Sequence, residues 1–270
     1  MDLLCCPVCH APLKEEERRY CCPAGHSFDK AKQNYVNLLQ SQRSSARTHG
    51  DDREMVVARR AFLEKGYYSS LRDTLTEKVY FYTEKNAPVL VDAGCGEGWY
   101  TEAVAQKLPG CIAVGFDISK DALKWAAKRQ GLSHLAVASC FSMPLKDETV
   151  DILLNIFSPL AAEEYARVLK KGGHLFRVVP DTYHLWELKR AVYETAIPNR
   201  PEPEDLPGLI LKEKKPVHYE MTLTAREDIE TLFQMTPYYY RTSPADRAKL
   251  NKLEILTTRV EFNLLIYEKE

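Results

Sequence analysis

Short apolar runs recur along the chain with helical stretches between them, and this alternation predicts the architecture. The runs Val89-Leu-Val, Ile112-Ala-Val-Gly-Phe116, Leu135 to Ala138, Ile152-Leu-Leu and His174 to Val179 suit strands buried on both faces. Between them, Trp99 to Leu108, Ala161 to Lys170 and about His184 to Glu194 place apolar residues at helical spacing. Gly172-Gly173 reads as the stop of the second of these helices. Strand and helix in alternation imply a parallel sheet covered on both faces, with ligands gathered at the carboxyl ends of its strands. Two later strands, near Val217 to Thr224 and Val260 to Tyr267, are expected to close the sheet as an antiparallel edge. The stretch Pro198 to Pro207 reads as a long surface loop and candidate lid.

The first strand runs directly into Asp92-Ala-Gly94-Cys-Gly96-Glu97-Gly98. Glycines at 94, 96 and 98 let the backbone approach a ligand where a Cβ would clash. The next strand ends in Asp117, where a carboxylate can accept both hydroxyls of a ribose. A nicotinamide site would need Gly-x-Gly-x-x-Gly, which these one-residue gaps do not fit. The arrangement resembles motifs one and two of the class I S-adenosylmethionine (SAM) methyltransferases. That resemblance implies a Rossmann-like sheet of seven strands, with Asp92 facing the methionine part of the cofactor, Asp117 its ribose and Ser139-Cys140 its adenine. The target base is then expected near Asn155, Phe157 and Pro159. Glu97 is placed at the cofactor or just behind it, and no catalytic base is assigned.

Ahead of that sheet stands a different chemistry. Cys6-Pro-Val-Cys9 and Cys22-Pro-Ala-Gly25-His26 read as two knuckles of a small ribbon, offering three thiolates and an imidazole to one structural zinc. Cys5 would widen the first gap, and His10 is a reserve ligand. With all four positions filled by protein, the metal would hold no reactive water.

Composition narrows the setting. The chain has 270 residues, 45% of them hydrophobic, enough for one substantial core and a small satellite. Its start lacks a basic segment and a long apolar run, and its eight cysteines read as metal ligands and buried thiols, so a cytoplasmic, non-membrane protein is expected. A net charge of −1 gives no overall basic footprint, leaving nucleic acid to be held by local patches. Arg43, Arg47 and Arg59 are candidate RNA contacts, with Tyr238 a candidate stacking ring; a solvated loop and core packing explain them equally well.

Read together, the ribbon, Tyr35-Val-Asn-Leu-Leu39, Gly50-Asp51-x2-Glu54-Met55-x2-Ala58-Arg59, the glycine turn and Gln234-Met-Thr-Pro237 closely resemble the bacterial large-subunit ribosomal RNA guanine-N1-methyltransferases. The resemblance implies methylation of one guanine in the hairpin loop of helix 35, in a family with members associated with macrolide resistance. It also implies cofactor contacts at Tyr68 and His184. His49-Gly50-Asp51 stands where the family often has Pro-Gly-Asp. A SAM enzyme acting on a small molecule is the alternative, and a homodimer is left open. Residues 1–36 are expected to form the ribbon and an RNA-reading module; residues 37–270 the methyltransferase domain, with a basic loop and helical lead-in over 37–75 and the catalytic sheet over 76–270. Since the sheet starts near Val89, a chain beginning at Val56 is expected to fold and bind SAM without the ribbon.

Overall fold

The computed structural model describes residues 3–40, 50–83 and 86–270. Its core is one eight-stranded sheet with helices on its faces. Strand β5 (Val89–Ala93) lies between β6 (Ile112–Asp117) and β8 (Val150–Ile156); β7 (Leu132–Val137) flanks β6, and β9 (Leu169–Pro180) flanks β8, all parallel. β10 (Leu209–Leu223) and β11 (Leu256–Lys269) follow as the expected antiparallel edge. Helices α3 (Trp99–Lys107), α4 (Lys120–Ala126), α5 (Ala162–Val168) and α6 (Trp186–Val192) fill connections between strands, while α1 (Arg53–Glu64) and α2 (Ser69–Tyr82) precede the sheet. Helix α7 (Arg226–Gln234) packs against α1.

Three features depart from the pattern-based expectation. The glycine pair does not end a helix: α5 stops at Val168, and Gly172-Gly173 lie inside β9 where its register against β8 shifts. A Cβ on Gly173 would stand 2.9 Å from Lys170 O and 3.1 Å from Val150 O, so the bulge needs glycine. The Pro198–Pro207 loop is free of helix and of regular strand, but buried Arg177 pins it to the sheet by bonding Glu202 at 2.7 Å and the Pro203 carbonyl at 2.9 Å.

The third departure concerns the ribbon. Its small sheet, β1 (Lys14–Glu15), β2 (Arg19–Cys21) and β3 (Ser27–Asp29), is followed by β4 (Val36–Asn37), which pairs with β7 and becomes the eighth strand of the main sheet. The boundary expected between residues 36 and 37 therefore falls inside a strand. Leu3, Leu4, Leu13, Tyr20, Val36 and Leu38 share one buried cluster with Val89, Val91, Phe116 and Leu145. Polar ties reinforce it: the Cys5 amide donates to the Pro144 carbonyl at 2.8 Å, and the Tyr20 hydroxyl lies 3.1 Å from His134 Nδ1. The ribbon is a wall of the main core, which removes the basis for expecting residues from Val56 onward to fold without it.

Candidate active site and metal centre

The metal centre is built by two matching turns. The His10 amide closes on the Cys6 carbonyl at 2.9 Å, and the Gly25 amide closes on the Cys22 carbonyl at 3.0 Å. Both turns need a left-handed residue, His10 at φ 59° and Gly25 at φ 86°. His10 thus shapes the knuckle and stands outside the ligand cluster, while Cys5 turns into the core. The ligand atoms of Cys6, Cys9, Cys22 and His26 all lie within 4.8 Å of one another. Zinc at about 2.3 Å from sulfur and about 2.0–2.1 Å from nitrogen would space its tetrahedral ligands roughly 3.5–3.8 Å apart. Cys6 Sγ to His26 Nδ1 and Cys9 Sγ to Cys22 Sγ are both 3.6 Å, and Cys22 Sγ to His26 Nδ1 is 3.3 Å. Three sulfurs and one nitrogen with these spacings suit a closed, structural zinc site.

At the carboxyl end of β5 the chain turns through left-handed Gly94, Gly96 and Gly98. A Cβ on Gly94 would collide with Ser158, so that glycine allows the β8 loop to close on the turn. Gly96 is different: its missing Cβ points into open space, as a ligand cradle requires. Asp117 frames the cradle, accepting the Gly96 amide at 2.9 Å on Oδ2 and the Ser119 amide at 2.7 Å on Oδ1. Burial raises its carboxyl above the usual range, against those two hydrogen bonds.

Asp92 is almost fully buried, with the Thr101 hydroxyl donating to its Oδ2 at 2.6 Å. Burial pushes its pKa up to about 7, partly opposed by Thr101 and assisted by the nearby Asp117 charge. Among the described residues its Oδ1 has no hydrogen-bond partner, and the same holds for Glu97 Oε1 and Tyr100 Oη. Three unpartnered buried polar atoms along one short segment, beside an open glycine, fit the polar amino-acid end of a ligand. Glu97 is otherwise turned toward Arg129, which also meets Glu64 at 2.7 Å and Glu102 at 3.2 Å.

Across the cradle stands an aromatic wall. Tyr68, just before α2, packs edge-on against Phe262 at 5.1 Å, and His184 lies 4.3 Å from the same ring. His184 Nδ1 accepts the Glu261 amide at 3.2 Å, so its hydrogen sits on Nε2. Burial and the Lys189 charge push the imidazole down to about 3, leaving it neutral. Asn155, near the end of β8, has its amide close to Ser158 Oγ at 2.5 Å and Tyr165 Oη at 3.0 Å. It braces a loop whose exposed members are Phe157, at φ 54°, and Pro159. Ser139 starts a tight turn, its hydroxyl oxygen accepting the Phe141 amide at 3.2 Å.

The structure separates the RNA candidates. Arg43 and Arg47 lie outside the described residues. Arg59 pairs with Asp51 on the inner side of α1, and Tyr238 is half-buried, its hydroxyl donating to Asn199 at 3.3 Å; Tyr240 is the exposed ring of its triplet. Thr101 and Arg129 escaped the sequence reading. Each meets its partner across a turn of the fold, and no spacing rule marks either.

Residues 4–47 match the family described as RlmA, N-terminal, a zinc ribbon, and residues 91–177 match a methyltransferase domain. A Micromonospora griseorubida protein assigned to the 23S rRNA (guanine-N(1)-)-methyltransferases is 37% identical over 201 residues, which cover 68% of this chain and 67% of that protein. The 23S rRNA (guanine(748)-N(1))-methyltransferase of Streptomyces fradiae is 36% identical over 69% of this chain and 66% of its own length. A Bacillus subtilis relative assigned to the same group is 29% identical, across 97% of this chain and 95% of that protein. With a Cys3His cluster in a ribbon that packs on the sheet carrying the glycine turn, and with these relatives in agreement, the chain belongs to the 23S rRNA (guanine-N1)-methyltransferase family.

Proposed function

We propose that this protein moves the methyl group of SAM to N1 of a guanine in large-subunit ribosomal RNA, and that this guanine lies in the hairpin loop of helix 35. The observation that carries the reading is that ribbon and cradle form one packed body and both fall inside the alignment spanning 97% of the chain. When bound, SAM supplies a methyl group on a sulfonium, open to in-line attack. Asp92 would hold the amino group of its methionine end, Gly96 the close backbone approach, Asp117 the ribose hydroxyls through its remaining lone pairs, and Ser139 the adenine edge. Tyr68 and His184 would close the opposite side.

A guanine must leave its stack to enter, and its N1 must come within about 3–3.5 Å of the methyl carbon. Phe157 and Pro159 form the proposed rim for that base, braced from behind by Asn155. His184 is unsuited to take the N1 proton, because its one free lone pair is used by the Glu261 amide. Arg43 and Arg47 are proposed phosphate contacts, and Tyr238 a proposed stacking ring. The deciding experiment incubates ribosomal RNA from a strain lacking this gene with the protein and labelled SAM. Methyl label on one guanine of helix 35, seen as a reverse-transcription stop, is expected; label elsewhere, or only on small molecules, would overturn the reading.

Asp92 adds a pH signature. Its folded pKa of about 7 exceeds the ordinary 3.8, so between those values the free protein binds a proton that the unfolded chain has shed. A cationic group docking on Asp92 favours the ionised form and expels that proton. SAM affinity should therefore rise with pH and level off above about 7, with proton release near one at about pH 6 and near zero at about pH 8. Calorimetry in buffers of different ionisation enthalpy measures this; a flat profile would remove Asp92 from the cofactor site.

A further inference from the structure

We propose that Arg59 anchors the carboxylate of the cofactor's amino-acid end, an inference that rests on the SAM reading above. Helix α1 buries Met55, Val56, Ala58, Phe62 and Leu63, and leaves Val57 exposed. Residue 59 stands four positions from Met55 and Leu63 and three from Val56 and Phe62, so its backbone lies on the packed side of the helix while its side chain stays 32% exposed. There it is paired with the Asp51 carboxylate, while its neighbour Arg60 stacks over the Trp125 ring at 4.0 Å.

Both sides of Arg59 lead to the cradle. One turn along α1, Phe62 packs 5.2 Å from Tyr68, the ring that starts the aromatic wall. In the other direction Arg59 pairs with Asp51, whose carbonyl accepts the Ser119 hydroxyl at 2.8 Å; the Ser119 amide in turn bonds Asp117. Burial raises the Tyr68, Tyr100 and Asp117 groups, and the nearby Arg59 charge works against that rise in all three. Among the described residues only Asp51 engages Arg59, through Nη1, which leaves Nε and Nη2 to donate.

Charge complementarity identifies what they meet. The zwitterionic end of SAM carries an ammonium and a carboxylate. Asp92 and Asp117 suit the ammonium and ribose, and neither can hold an anion. Arg129, the guanidinium on the other flank of the turn, is already shared among Glu64, Glu97 and Glu102. Arg59 is left to take the carboxylate, and its planar fork can serve Asp51 and the ligand together.

The test titrates the full-length protein and its Arg59→Gln variant with SAM and with 5′-methylthioadenosine, which keeps adenine, ribose and sulfur but has no amino-acid end. Arg59→Gln should weaken SAM about 10- to 100-fold, the scale of lost charge-assisted hydrogen bonds, and leave methylthioadenosine within about twofold. Arg59→Lys keeps the charge without the fork and should lose less for SAM and nothing for methylthioadenosine. Equal weakening of both ligands in either variant would make Arg59 a structural residue, and unchanged SAM affinity would place the carboxylate elsewhere. A parent protein that binds neither ligand would instead sink the SAM reading itself.

Discussion

Gly96→Val is expected to abolish measurable SAM binding while the sheet still folds. The residue sits at φ 55°, and a Cβ there would enter open space, so the added Cβ meets no protein atom. Holding a β-branched residue in the left-handed region costs about 1–2 kcal/mol, within the stability of a domain this size. The isopropyl group fills the volume proposed for the cofactor, and calorimetry should find affinity lowered by at least about 100-fold, roughly 2.7 kcal/mol. Gly94→Ala makes the contrast. Its Cβ would strike Ser158, so there the loop closing the turn must move and the melting temperature should fall as well. Parental SAM affinity in Gly96→Val would show that the cradle holds something else.

Starting the chain at Val56 should be more damaging still, leaving no cooperatively folded protein. The deletion removes Leu4, Leu13, Tyr20, Val36 and Leu38, all buried against residues of the sheet. Each such side chain contributes about 1.5–3 kcal/mol by leaving water, so together they rival the roughly 5–15 kcal/mol that keeps a whole domain folded. The deletion also strips off β4 and the bond from the Leu38 amide to the Val137 carbonyl. Circular dichroism during heating decides the matter. A sharp transition near the parental temperature, together with SAM binding, would mean that the shared cluster contributes little.

Much of the site was legible in the sequence because its chemistry forces local spacing. Thiolates that share an ion must come from tight turns, so Cys6-x2-Cys9 and Cys22-x3-His26 announce themselves, and the left-handed turn that ends β5 asks for glycine at 94 and 96. What stayed hidden depends on distant partners. Arg129 reaches Glu64 and Glu97, and Arg59 reads as one more basic residue of a charged loop until α1 turns it inward. Gly172-Gly173 misled because a helix stop and a strand bulge ask the same freedom of the backbone. Strand β4 is two residues long, too short for any period to show.

That short strand has a consequence for solubility. An open sheet has two borders, and each presents unpaired amides and carbonyls that invite a strand from another molecule. On one border β10 carries Lys212, Lys214, Lys215 and Pro216, charges and a missing donor that repel such a visitor. On the other, β7 is largely apolar, and β4 pairs with its last two residues, Ala136 and Val137, while Lys30 at the end of the ribbon sheet bridges to Val36. The ribbon thus covers part of one flank of the sheet that would otherwise offer a template to a strand from another molecule.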